Sequence, residues 1–175
     1  MTEWQPLTWI FFHITSLNYE EKYRDHYISF YNSLRTIIPC SICRNHFIQN
    51  IEKPGMSIEE NVNKEKIFNW TIDLHNIVNK LNYKKQWSYN QSYQHYSKLP
   101  LNNTLLKIFI YSYIRANFRK NPQKTGELLN MIKTLAYIYP HEDKRNKLID
   151  FREKFKLNRD TIKNWLYAFI LILNS

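Results

Sequence analysis

Pro39-Cys40-Ser41-Ile42-Cys43-Arg44 holds both cysteines of a 175-residue chain. A C-x-x-C pair serves as a thiol–disulfide couple, as half of a zinc site or as a haem attachment site, or it is a chance spacing. Haem attachment needs His directly after the second cysteine, where this chain has Arg44. Structural zinc needs four ligands; Cys40, Cys43 and His46 could supply three, with His75 or His13 as the fourth. A redox couple needs the two cysteines alone. Pro39 ends the helical pattern before it, so Cys40 opens a new helix, and two intervening residues put both sulfurs on its first turn. The helix N-terminus and the adjoining Arg44 both favour a thiolate. A thioredoxin-type pair would be flanked by strands. No stretch in either half of the chain alternates with period two over a full strand, and the fold class is read as all-α.

Upstream of the pair, residues 6–17 read as a helix with Trp9, His13 and Ser16 on one face, and Pro6 suits its first turn. Residues 20–37 carry an apolar stripe of Tyr23, Tyr27, Phe30, Tyr31 and Leu34. The cysteine helix runs to about Glu52. Pro54-Gly55 is a turn within a polar loop over 53–62. Asn63 is placed to cap a long helix on which Phe68, Ile72, His75 and Asn79 share one line. Residues 88–97 read as a short, tyrosine-rich helix. Beyond a boundary at Lys98-Leu99-Pro100, helices are read at 102–119, 124–138, 143–155 and 159–173. Their apolar stripes are Leu105, Ile108, Phe109 and Ser112, then Leu128, Met131, Ile132 and Leu135, then Trp165, Phe169 and Ile172. Such stripes must be buried, in a bundle of their own, on the first half of the chain or on a partner.

The two glycines, Gly55 and Gly126, exclude the glycine-rich phosphate loops of Rossmann and P-loop proteins, so a nucleotide would be held by side chains and helix ends. No secretory signal is visible, and the most apolar run, 165–173, is too short to cross a bilayer. The net charge of +10 is uneven. Residues 1–97 hold ten basic and nine acidic residues, residues 98–175 fifteen and six. The second half therefore suits an acidic partner, nucleic acid or membrane, or is a solvated Lys-rich face.

Three stretches line up around the cysteine pair: Trp4-Gln5-Pro6-Leu7-Thr8-Trp9 followed by His13; Pro39-Cys40-Ser41-Ile42-Cys43 followed by His46-Phe47; and Trp70 followed by His75-Asn76-Ile77-Val78-Asn79 and Lys84. Over residues 1–97 the chain resembles the Erv/ALR family of FAD-linked sulfhydryl oxidases, whose pattern is W-G-x-x-x-W-x-x-x-H, P-C-x-x-C and H-N-x-V-N with a trailing Lys. Gln5 stands in place of the usual Gly, and Ile38 where an aromatic or Leu often precedes the proline. The extra shuttle and structural cysteines of cellular members are missing, so the chain is similar to the minimal viral members, which implies a large DNA virus as its source.

The resemblance implies a four-helix bundle with a short fifth helix binding FAD over residues 1–97, followed by a basic helical extension over 98–175. It implies that Cys40 exchanges disulfides with a protein thiol, that Cys43 faces the flavin and forms a charge-transfer thiolate, and that electrons pass to dioxygen with release of hydrogen peroxide. Trp9, His13, Trp70, His75, Asn76, Val78, Asn79 and Lys84 match positions around FAD, and Trp87 is placed to close the pocket. A homodimer follows by similarity, as does a substrate of thioredoxin-like or other C-x-x-C type, with the host cytoplasm at the virus assembly site, or the virion, as location. The extension is expected to place or recruit the substrate, and a chain ending near Lys98 to fold by itself. The competing expectation is a non-enzymatic, zinc-stabilised helical module on Cys40, Cys43, His46 and His75 with a nucleic-acid-binding second half. His26, His95 and His141 match nothing and are expected at the surface.

Overall fold

The computed structural model describes residues 4–101, 103–118 and 121–174. Among them there is no strand, and the all-α class holds. The helices are α1 (Trp4–Leu17), α2 (Arg24–Ile37, entered through a 3-10 turn at Glu21–Tyr23), α3 (Ser41–Ile51), α4 (Ile58–Asn61), α5 (Ile67–Leu81), α6 (Tyr89–Tyr96), α7 (Asn103–Asn117), α8 (Pro122–Ile138), α9 (Glu142–Lys154) and α10 (Ile162–Asn174). The outer residues of the helix expected at 102–119 lie outside the described residues.

Side-chain caps set several of these starts. Cys40 caps α3 through its sulfur. Ser88 and Gln91 close a reciprocal capping box on α6. Asn121 caps α8, with Pro122 in the first turn. Two local expectations fail. Residues 53–62 are not all loop, because Ser57 caps the short α4 and the apolar Ile58 at its start and Val62 just after it are buried. Asn63 does not cap α5; its side chain takes the N–H groups of Glu65 and Lys66 one turn earlier. Gly55 adopts a φ of 74°, the left-handed turn that follows Pro54.

One buried cluster joins the two halves of the chain, running from Phe11 and Phe30 through Phe109 to Leu128, Ile132 and Phe169. Helix α1 packs on α5 and α7; α2 packs on α3 and, most extensively, on α8; α9 and α10 close the far side. The stripe on α8 is buried as expected. On α7 the buried face is rotated to Leu106, Phe109, Ile110 and Tyr113, leaving Leu105, Ile108 and Ser112 only partly covered. The reason is that α7 meets both α1 and α8, so its apolar face is shared between two neighbours. His26 is not a free surface residue, since its ring stacks on Tyr137 with centroids 3.6 Å apart. Among the described residues no helix is long and apolar enough to cross a membrane.

Candidate active site

The redox turn is built at the junction of α2 and α3. Cys40 has extended backbone dihedrals as the residue preceding α3, and its Sγ accepts the N–H of Cys43 at 3.2 Å. The Arg44 side chain reaches back to the Ile38 carbonyl at 2.9 Å, locking the Pro39 turn against the start of α3. Both thiols are free and half-buried. Gln5, from the first turn of α1, donates its amide to Cys43 Sγ at 3.5 Å.

The two thiols differ in acidity. Burial opposes the Cys40 thiolate, but hydrogen bonds from the Cys43 thiol and from backbone N–H groups at Cys43 and Ile42, with the Arg44 charge, outweigh it and bring Cys40 below its ordinary value. Burial raises Cys43, and the hydrogen bond and charge of Cys40 raise it further. The first cysteine is therefore the better nucleophile and leaving group toward a thiol in solvent, the second the more protected.

Gln5, Trp9 and His13 recur at helical spacing, so one face of α1 runs from the redox turn to a cluster of rings. The Trp9 indole stacks on the His75 imidazole at 4.3 Å between centroids. His13 Nε2 is 2.9 Å from His75 Nδ1, and His13 Nδ1 is 3.0 Å from Thr71 Oγ1. The Thr71 hydroxyl spends its proton on the Phe68 carbonyl, so it accepts from His13 Nδ1–H. His13 Nε2 then accepts from His75 Nδ1–H, and His75 Nε2 is left as an acceptor. Both imidazoles are neutral in this chain of bonds. Burial, followed by the neighbouring His75 and His95, holds His13 well below the usual histidine range; burial and then the Lys84 charge push His75 down to about 4. Tyr96 of α6 lies against His13 at 4.4 Å.

The chain beside this ring cluster is shaped after α5. Tyr83 takes a left-handed φ of 53°, while the Lys84 N–H bonds the Asn79 carbonyl at 2.8 Å and the Tyr83 N–H bonds that of Lys80 at 3.2 Å, a Schellman motif. It turns the chain so that Lys84 comes near His75. The Asn76 side chain then clamps the backbone of Trp87, accepting its N–H at 2.9 Å and donating to its carbonyl at 2.8 Å. The Trp87 ring lies beside His95 and Tyr96.

Of the residues expected around a cofactor, the structure brings Trp9, His13, His75, Asn76, Lys84 and Trp87 to this ring cluster and its edge. Asn79 serves through its carbonyl, and Val78 is half-buried on the same helix. Trp70 is elsewhere: it is buried against Tyr31, with its indole N–H donated to the Met56 carbonyl. Sequence reasoning missed Gln5, Thr71 and Tyr96. Thr71 was legible as the residue one turn before His75 on the same helix face. Among the described residues no group of three or more His, Cys, Asp or Glu side chains is placed to hold a metal ion, so Cys40, Cys43, His46 and His75 do not converge as the zinc reading required.

A sequence profile described as the Erv1 / Alr family matches residues 6–97, and the chain belongs to that family. Over 96 residues it is 33% identical to a protein of Acanthamoeba polyphaga mimivirus described as a probable FAD-linked sulfhydryl oxidase. That match covers 51% of this chain and 66% of the relative, so the chain spans just under two thirds of the relative's length. No solved structure matches the chain.

Proposed function

We propose that the chain is an FAD-dependent thiol oxidase that forms disulfides in a thiol-bearing protein and passes the electrons to dioxygen, giving hydrogen peroxide. The observation that carries the reading is the Cys40–Cys43 pair at the start of α3, tied by Gln5 to the helix face that holds Trp9 and His13.

The residues fit FAD. The part-exposed rings of Trp9 and His75, backed by the buried His13 and Tyr96, suit a fused-ring ligand, and Lys84 and Lys85 bring positive charge beside them for a diphosphate. A cavity of about 370 Å³ lined by Lys85, Trp87, Gln91, Gln94 and His95 adjoins the clamp. Trp9, His13, His75, Asn76, Lys84 and Trp87 would hold the cofactor, with Val78 and Asn79 shaping the helix beneath it and Trp70 fixing that helix from the core. FAD, when bound, supplies a two-electron acceptor that dioxygen can empty as hydrogen peroxide.

The protein's own steps follow from the thiols. In the oxidised pair a substrate thiolate attacks Cys40 Sγ; the S–S bond breaks, the electron pair leaves on Cys43, and a mixed disulfide forms. The second substrate thiolate then displaces Cys40, completing a substrate disulfide and leaving the enzyme with two thiols. The lowered pKa of Cys40 suits it to leave in this second step. Cys43, more buried and held by Gln5, is kept from solvent thiols. Two electrons and two protons must leave the pair before the next turnover.

The test is anaerobic mixing with dithiothreitol. The wild-type chain should be yellow and should bleach. Cys43→Ser should stay yellow and not bleach. A Cys43→Ser protein that bleached at the wild-type rate would overturn the assignment.

A further inference from the structure

The redox turn occurs twice. Ile37-Ile38-Pro39-Cys40-Ser41-Ile42-Cys43-Arg44-Asn45 and Ile138-Tyr139-Pro140-His141-Glu142-Asp143-Lys144-Arg145-Asn146 share an isoleucine, a proline, an arginine and an asparagine at the same spacing. The structure repeats with them. Helix α2 ends at Ile37 and α8 at Ile138, each followed by a residue of similar backbone (Ile38 φ −52°, ψ 122°; Tyr139 φ −65°, ψ 130°) and then a proline. Cys40 (φ −88°, ψ 122°) and His141 (φ −93°, ψ 116°) both precede the next helix. Arg44 donates to the Ile38 carbonyl at 2.9 Å, and Arg145 donates to the Tyr139 carbonyl at 3.0 Å. A second match is Ile67-Phe68-Asn69-Trp70 with Ile162-Lys163-Asn164-Trp165. Each begins its helix, and each tryptophan donates its indole N–H to a loop carbonyl before that helix, Met56 for Trp70 and Phe155 for Trp165. The helix pairs correspond as well: α7 packs on α10 as α1 packs on α5, and α8 on α9 as α2 on α3.

The two sets of helices meet through α1 with α7 and α2 with α8. At those contacts equivalent positions touch each other, which is what a two-fold axis requires. In the register of Ile10-Phe11-Phe12 and Ile108-Phe109-Ile110, Phe11 stacks on Phe109 with centroids 4.9 Å apart. In the register of the two prolines, Ser29 corresponds to Asn130, and the Asn130 amide donates to Ser29 Oγ at 3.0 Å.

We infer that helices α7, α8, α9 and α10 are a degenerate second copy of the bundle formed by α1, α2, α3 and α5, paired with it across a pseudo-two-fold axis inside one chain. The second copy holds His141 and Lys144 where the cysteines stand, and Tyr111 and Ile170 where His13 and His75 stand. It has lost the chemistry and kept the packing. The faces of α1 and α2 that meet α7 and α8 are covered from within the chain, so the chain works as a monomer with one redox centre, in place of the homodimer expected by resemblance.

Sedimentation of the full chain tests this independently of the thiol-oxidase reading, because mass does not depend on activity. A single species of 21.5 kDa at all concentrations is expected; a species of twice that mass overturns the monomer. Asn130→Arg places a charge at the pseudo-axis, and its melting temperature should fall and self-association appear. Asn130→Ala should lose less, and Tyr167→Arg, at an exposed position of α10, should change neither. An unchanged melting temperature for Asn130→Arg overturns the internal pairing.

Discussion

The His75 imidazole lies face to face with the Trp9 indole, with centroids 4.3 Å apart and planes 2° from parallel. Two rings from helices far apart in sequence thus form one slab, and His13 extends it by its hydrogen bond to His75. This slab is the part of the site that depends on neutral histidine.

Acid should therefore weaken the fold through His75. Above about pH 6.5 both folded and unfolded states are neutral at this residue. Below that pH the unfolded chain takes up a proton that the folded one refuses until about pH 4. Stability should fall across that window by up to roughly 3 kcal/mol. Denaturant titrations from pH 7 to pH 4 on the wild type and on His75→Gln measure it; the variant should lose clearly less on acidification.

The thiols should react unequally. With the Cys40 thiol held low and Cys43 held high, limiting iodoacetamide on the reduced protein should label Cys40 first. Peptide mass spectrometry reads the order, and equal labelling near neutral pH would contradict the split.

Tyr83 is a conformational weak point. It is 100% exposed and sits at φ 53°. A left-handed residue with a Cβ costs about 1–2 kcal/mol, and it has no packing to lose. Tyr83→Gly relieves that cost at the price of about 0.5–1 kcal/mol of backbone entropy. The variant should be more stable by about 0.5–1 kcal/mol, read as a higher denaturation midpoint with Lys84 and Trp87 kept in place.

Removing the cofactor should lower the melting temperature. A ligand bound only by the folded chain, present at several hundred to a thousand times its dissociation constant, stabilises by roughly 3–4 kcal/mol. Calorimetry of the protein with and without FAD checks this; coincident curves would speak against a cofactor seated among Trp9, His13 and His75.

Cutting the chain near Lys98 should unfold it, contrary to the independence expected of residues 1–97. Tyr113 of α7 packs edge-on to Trp4 and bonds Thr8, and Asn117 donates to the Ile37 carbonyl just before the redox turn. Phe11, Phe30 and Leu34 are buried in the cluster shared with α7 and α8. Each large apolar side chain returned to water costs about 1.5–3 kcal/mol, and several together rival the whole stability of a domain. A cooperative melt of the shortened chain near the wild-type temperature would refute this.

What the sequence determined alone lies within single helices. Cys40 and Cys43 share the first turn of α3, Trp9 and His13 one face of α1, and His75, Asn76 and Asn79 one stretch of α5; proline, capping residues and a 3.6-residue period encode all of these within a turn or two. What the tertiary structure decided depends on contacts between residues far apart in the chain. The stacking of Trp9 on His75, the hold of Gln5 on Cys43, the clamp of Asn76 on Trp87 and the withdrawal of Trp70 into the core appear only when helices pack. The second copy of the bundle was faintly legible, in Ile-x-Pro with Arg-Asn five residues on and in Ile-x-Asn-Trp, but few positions keep their identity. A buried position constrains volume and polarity more than residue type, so Phe30 and Met131 can fill equivalent places while the repeat fades from the sequence and persists in the packing.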